Sequence, residues 1–248
     1  MSEKAPPGSP PSAREAYETW HSALSPIDAE APPWIRMVRE ALDPARDLEG
    51  RRVLEIGCGR GEFARWLGQR RPPLKQLVAT DFAVSAVAVA RRVAREQSLE
   101  SISWQVADIG ALDFPDATFD TVFSLETIEH TPSPTRAVAE LARVLAPGGR
   151  LFLSTPNYLN AAGLYRIYLR LRGRRFQEAG QPINQPMLLP RTRALVRRAG
   201  LRVLKVDAVG HPLPWPGGAL ELGWMERLRP WSRWFGVQSI VIAEKPGR

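Results

Sequence analysis

The chain of 248 residues has one cysteine, Cys58, three histidines and only four lysines among its 34 basic residues. A single cysteine excludes an internal disulfide and any multi-cysteine metal site. No stretch approaches the roughly 20 apolar residues that cross a bilayer, and no signal-peptide core opens the sequence, so the chain is expected to be cytoplasmic. No internal repeat is visible, which excludes solenoids and propellers. With 44% hydrophobic residues the length suits one good-sized domain, expected over residues 13–248. Ser2 to Ser12 carries four prolines and little that is apolar, so residues 1–12 are expected to be a disordered arm.

The most informative stretch is Val53-Leu54-Glu55-Ile56-Gly57-Cys58-Gly59-Arg60-Gly61-Glu62. An apolar run ends in an acid, three alternating glycines follow, and Phe63 to Leu67 then favours a helix. A buried strand entering a nucleotide-binding turn has this form, because glycine reaches backbone conformations closed to other residues and brings no Cβ against a ligand. The dinucleotide fingerprint requires a small residue where Glu62 stands, and a carboxylate there would repel a pyrophosphate. A Walker-type Gly-Lys-Ser/Thr ending is also absent. The ligand expected at this turn is flat and adenosine-like.

From Arg52 onward strands and helices alternate. Strands are expected at Val53–Ile56, Leu77–Thr80, Ile102–Val106, Thr121–Ser124 and Arg150–Ser154, with helical runs at Val84–Gln97 and Thr135–Leu145 and a stop at Pro147-Gly148-Gly149. Pro190–Ala199 reads as a further helix, with strands at Leu201–Val206 and Ser239–Ala243. The N-terminal helices, within residues 13–50, are broken at Pro26 and Pro32-Pro33. Together these predict an α/β, Rossmann-like, doubly wound and mainly parallel seven-stranded sheet, with an antiparallel last strand and a lid insertion after the fifth strand. Ligands of such sheets bind beyond the carboxyl ends of the strands.

Three acids stand at three successive strand ends. Asp81 follows Gly61 by twenty residues and can accept both hydroxyls of a ribose. Asp108 can accept from an adenine amino group while Ile109 covers the ring. The pattern Glu-x-Gly-x-Gly-x-Gly, the run Asp113 to Asp120, Glu129-His130, Val144 to Gly149 and Ser154-Thr155-Pro156-Asn157 resembles the ubiquinone-biosynthesis type of class I methyltransferase and its small-molecule relatives. The resemblance covers Arg52 to Asn157, and more weakly Pro190 to Gly210. It implies S-adenosylmethionine as cofactor, with Glu55, Gly57, Gly59 and Gly61 at the methionine part, Asp81 and Phe82 at the ribose side, and Asp108 and Ile109 at the adenine.

Glu126-Thr127-Ile128-Glu129-His130 admits several readings. On a helix, Glu126, Glu129 and His130 would share one face, where two hard oxygens and an imidazole converge. That spacing resembles the magnesium-binding Glu-x-x-Glu-His of small-RNA 2′-O-methyltransferases and ubiquinone O-methyltransferases. Without a metal, His130 beside Glu129 would suit removal of a hydroxyl proton. The remaining reading is that these residues shape the pocket.

Net charge is +8, and it is unevenly placed. Asn157 to Val206 holds ten arginines and Lys205 against one acid, Glu178, while the rest of the chain is slightly acidic. Ala161 to Arg172 places Leu164, Ile167, Tyr168 and Leu171 on one helical face among arginines, and Trp215 to Phe235 repeats the character with four tryptophans. Residues 158–189 and 211–236 are therefore expected to form the lid and substrate segments around a small, lipid-like or anionic acceptor, with peripheral membrane association as one consequence. An RNA-modifying protein using the basic segment as a phosphate track, and a catalytically silent cofactor-binding scaffold, are the alternatives.

Overall fold

The computed structural model describes residues 13–23, 33–70, 73–174, 181–215, 218–228 and 231–247. The expected arm at 1–12, the break at Pro26, Arg175 and Glu178 lie outside these residues. Two helices, α1 (Ala13–Ala23) and α2 (Pro33–Ala41), and a single turn, α3 (Pro44–Asp47), precede β1 (Arg52–Ile56). Alternation follows through α4 (Glu62–Gly68), β2 (Gln76–Asp81), α5 (Val84–Glu96), β3 (Ile102–Val106), β4 (Phe119–Leu125), α6 (Pro134–Val144) and β5 (Leu145–Pro156). The chain continues through α7 (Ala161–Leu171), α8 (Leu189–Arg198), β6 (Arg202–Val209), the hairpin β7 (Pro212–Trp215) and β8 (Gly218–Glu221), and β9 (Gln238–Glu244).

The main sheet has seven strands in the order β3-β2-β1-β4-β5-β9-β6. Strands β1 to β5 pair in parallel, and β9 runs antiparallel between β5 and β6. The expected fold class is thus the observed one, with the antiparallel strand being the last in the chain.

Period-two alternation divides the core into two layers. Leu54, Val122, Leu151, Leu153 and Val241 pack beneath Val138 and Leu141 of α6 and Val196 of α8. Val53, Phe123, Phe152 and Ile242 pack on the other face beneath Val38 of α2, Phe63 and Leu67 of α4, and Ala90 of α5. Each fully buried Leu or Phe contributes on the order of 2 kcal/mol. Both faces of β1 are covered, so Glu55 within it is a carboxylate inside a hydrophobic layer.

Local signals explain most boundaries. Ser133 accepts from the N–H of Arg136 and Pro134 takes the first helical turn, which starts α6. Its far end is closed by Nζ of Lys245, which donates to the carbonyls of Ala142 and Leu145. Helix α6 stops at Val144, one residue before the expected end. The expected stop at Pro147–Gly149 is absorbed into an irregular start of β5, where Leu145 already pairs with Phe119 and the β4–β5 register shifts. Gly148 is held there by a bond from its N–H to the carbonyl of Lys245. The hairpin β7–β8 and the ion pair of the fully buried Asp47 with Arg150, at 2.7 Å, are features the sequence pattern does not reveal.

Candidate functional site

A cavity of 620 Å³ opens beyond the carboxyl ends of β1, β2 and β4. Its floor is the glycine turn. The N–H groups of Gly57 and Cys58 both donate to the carbonyl of Thr80, and Gly59 N–H donates to Asp81 Oδ2 at 2.8 Å. Gly57, Gly59 and Gly61 all have left-handed φ values, of 75°, 51° and 82°. A Cβ on Gly57 would lie 2.2 Å from Thr127 Oγ1, and one on Gly61 would lie 2.5 Å from the Trp104 ring. These two glycines are therefore required by packing as well as by φ, and only Gly59 opens onto space. Cys58 is buried, and burial holds its thiol protonated.

Of the residues expected in the site, Glu55, Gly57, Gly59, Asp81, Phe82, Asp108, Ile109, Glu126 and His130 line this one cavity. Gly61 and Glu129 do not. Gly61 caps α4 against Trp104, and Glu129 is fully buried beneath His130. Glu55 is also buried, and its Oε2 has no hydrogen-bond partner among the described residues. Desolvation, and after it the Asp81 charge, pushes its carboxyl up to about 8. Glu55 is therefore mostly protonated at neutral pH. Asp81, the last residue of β2, accepts from Gly59 and, through Oδ1 at 3.0 Å, from Ala83. Each of its oxygens retains acceptor capacity toward the cavity. Asp108 lies two residues beyond β3, where its Oδ1 accepts from Gly110 N–H at 2.7 Å.

The segment after β4 differs from expectation. Glu126 sits at φ 50°, outside any helix, and its carboxylate accepts from Ser154 Oγ at 2.7 Å. Only Ile128–His130 forms a turn, and it is 3-10. The helical face that would bring Glu126, Glu129 and His130 together is not formed, because the strand end bends Glu126 toward β5. Among the described residues no group of three or more His, Cys, Asp and Glu side chains is placed to hold a metal ion. His130 Nδ1 lies 2.7 Å from the carbonyl of Ile183, and its Nε2 lies 3.5 Å from Glu129 Oε1.

The largest departure concerns what covers the cavity. Residues 158–189 and 211–236 are the expected covering, yet among the described residues only Gln181 of these segments lines it. The apolar face of α7 points outward, with Leu164 70% and Leu171 83% exposed. Among the described residues the covering comes mainly from α1, through Ala13, Tyr17, Trp20 and His21, joined by Trp34 of α2. Helix α1 is tied down at several points. The Glu18 carboxylate accepts from the N–H groups of Val84 and Ser85, capping α5, which has no cap from its own residue Ala83. Arg60 donates to the carbonyl of His21, Tyr17 Oη donates to the carbonyl of Ile183, and the Arg14 guanidinium stacks over Phe82. The Tyr17-x-x-Trp20-His21 spacing, which puts three ring side chains on one face of a helix, was the available sequence signal.

Residues 54–153 match a family model described as a methyltransferase domain. A demethylmenaquinone methyltransferase of Thermus thermophilus is 38% identical over 139 residues, covering 55% of this chain and 62% of that protein. A ubiquinone biosynthesis O-methyltransferase of Coxiella burnetii is 30% identical over 154 residues, covering 61% of this chain and 62% of its own. The matched stretch thus spans less than two thirds of either relative. Among solved structures, a putative methyltransferase of Bacillus halodurans superposes with a TM-score of 0.63 at 18% identity, covering 86% of this chain and 98% of its own. The [4+2]-cyclase SpnF superposes at 0.62 with 20% identity, covering 94% and 93%. Identities this low establish the fold alone. Residues 54–153 thus match a methyltransferase domain, and the seven-stranded fold that carries them is shared with a putative methyltransferase of known structure.

Proposed function

We propose that the protein transfers a methyl group from S-adenosylmethionine to an oxygen of a small, lipid-like or anionic acceptor. The observation that carries this reading is the buried Glu55, whose Oε2 lacks a hydrogen-bond partner among the described residues and faces the same cavity as Asp81 and Asp108. In this reading Glu55 takes the amino group of the cofactor, Gly57 and Gly59 pass beneath its methionine part, and Asp81 and Phe82 meet the ribose. Asp108 takes the adenine amino group, and Ile109 supplies an apolar wall. When bound, the cofactor supplies a methyl group already activated on a sulfonium. The protein then aligns the acceptor and excludes water.

In this reading His130 takes the acceptor's proton. A carbonyl can only accept, so the proton of a neutral His130 sits on Nδ1 toward Ile183, and Nε2 is then the nitrogen that takes up a second proton. A proton taken up at Nε2 faces the Glu129 carboxylate, which would stabilise the imidazolium. Glu129 thus acts through His130 rather than on the acceptor. The fold alone does not decide the chemistry, since a cyclase shares it. Calorimetric binding of S-adenosylhomocysteine, together with mass spectrometry of a methylated product in cell extract, tests the proposal. No binding by the wild-type chain, or binding unchanged by Asp81→Ala, would overturn it.

A peripheral membrane location is favoured by α7. Leu164, Ile167, Tyr168 and Leu171 form an outward apolar stripe, with Arg170 and Arg172 at its margins. The phosphate-track alternative loses part of its charge to internal partners. Arg202 pairs with Glu244, and Arg166 donates to the Asn184 carbonyl while stacking on Tyr158. No helix among the described residues is long and apolar enough to cross a membrane.

A further inference from the structure

His21 is a buried titratable group that the proposed reaction does not use. Its side chain is 9% exposed, and it lines the cavity with Nε2 3.9 Å from Oδ1 of Asp81. That separation is too long for a hydrogen bond. Nδ1 is buried with no hydrogen-bond partner among the described residues. The ring is nonetheless held in place, edge-on to Trp20 at 4.8 Å, while its backbone carbonyl accepts from Arg60 at 2.7 Å. Arg60 belongs to the glycine turn, so the helix that carries His21 is anchored to the cavity floor. Burial, opposed by the Asp81 charge, lowers the proton affinity of the ring and favours neutral imidazole.

The gap has a definite chemistry. An oxygen about 2.8 Å from both Nε2 and Oδ1 would see them at an angle of about 90°, which suits a hydroxyl that donates to one and accepts from the other. With the ring proton on Nε2, the tautomer that leaves no unsatisfied N–H at the buried Nδ1, an ammonium could donate to Asp81 but could not accept from Nε2–H. A phosphate would meet the Asp81 charge. We infer that His21 and Asp81 together clasp one sugar hydroxyl of the cofactor, so that α1 is joined to β2 through the bound ligand. The inference rests on the reading of the cavity as a site for S-adenosylmethionine. It makes His21 a positioning residue, and it couples occupancy of the cavity to closure of α1. Because such coupling is reciprocal, loosening α1 at this contact must weaken the ligand by the same factor that the ligand tightens α1.

The test uses the full chain, with S-adenosylhomocysteine and its 2′-deoxy and 3′-deoxy analogues as probes in calorimetry. His21→Ala is expected to weaken S-adenosylhomocysteine about tenfold, the scale of one buried hydrogen bond. His21→Gln, whose amide nitrogen reaches the position of Nε2, is expected to recover most of that loss. One of the two deoxy analogues should bind the wild type more weakly and lose nothing further on His21→Ala. Hydrogen exchange of residues 13–23 should slow on ligand binding in the wild type and much less in His21→Ala. Equal losses for all three ligands, no loss for any, or no recovery by a His21→Gln variant that melts like the wild type would overturn the clasp. Failure of the wild type to bind S-adenosylhomocysteine at all would instead remove the cofactor reading on which the clasp depends.

Discussion

The carbonyl of Ile183 accepts from Nδ1 of His130 at 2.7 Å, and it also accepts from the Tyr17 hydroxyl at 3.2 Å. One backbone oxygen thus orients the candidate base and fastens the helix that covers the cavity. The segment carrying it is held in turn, since Gln185 N–H donates to the Glu129 carbonyl and the Gln185 side chain donates to the carbonyl of Thr131.

From this follows a prediction for His130. His130→Ala is expected to lower kcat by about 10² to 10⁴, the usual range for loss of a general base. The affinity for S-adenosylhomocysteine should stay within about twofold, because in this reading His130 faces the acceptor and not the donor. Added imidazole should restore part of the rate. Steady-state kinetics with calorimetry on the same variant would check this, and a matching fall in cofactor affinity would sink the assignment.

Glu55 makes binding a protonic event. With its carboxyl at about 8 in the empty protein, an arriving ammonium group would favour the charged form, so at pH 7 roughly nine-tenths of a proton should be released. Binding enthalpies measured in buffers of different ionisation enthalpy report that number directly. The stability consequence has a definite sign. The folded carboxyl holds its proton above the ordinary value of 4.5 while the unfolded one releases it, so this group makes the empty protein less stable as pH rises from about 4.5 to about 8. Glu55→Gln should flatten that slope in urea titrations and weaken S-adenosylhomocysteine by tenfold or more.

The three glycines should separate into two classes. Gly57→Ala and Gly61→Ala each place a methyl group under 3 Å from a neighbouring side chain at a left-handed φ, and a loss of about 2–4 kcal/mol in stability is expected. Gly59→Ala meets nothing within 4 Å, so only the conformational cost of about 1–2 kcal/mol applies. Its principal defect should appear in ligand binding. Denaturant melts of all three variants, followed by calorimetry of those that fold, test the division.

Outward exposure of α7 leads to a membrane prediction. The chain should co-sediment with vesicles rich in anionic lipid, and less with neutral ones, with binding that falls as salt rises. Leu164→Glu combined with Ile167→Glu should abolish the association. Affinity for S-adenosylhomocysteine should be unchanged, since neither side chain lines the cavity. Equal sedimentation of the double variant and the wild type would reject α7 as the contact.

Much of the strand-end lining of the cavity could be read without coordinates because each element of it is local. Glu55, the glycine turn, Asp81 and Asp108 lie at strand ends that hydrophobic runs delimit, and parallel β1, β2 and β3 bring such ends to one edge. The segment at Glu126 was harder. Its helical reading depended on spacing, whereas the bend at φ 50° comes from bonds to Ser154 of the neighbouring strand. Glu129 likewise read as a site residue, and only the packing shows that it is buried beside His130 and does not line the cavity.

By itself the sequence determined the sheet, its seven strands and the three acids at its strand ends, because strand periodicity and turn chemistry act over a few residues. The tertiary structure alone decided what closes the cavity. Helix α1 is some sixty residues before Asp81 in the chain, and it reaches the site through Glu18 at the start of α5 and Tyr17 at Ile183. The basic helix α7, which reads as a lid, turns its apolar face to solvent. Amphipathicity says that a helix has an apolar side, and only the packing of distant elements says whether that side is covered.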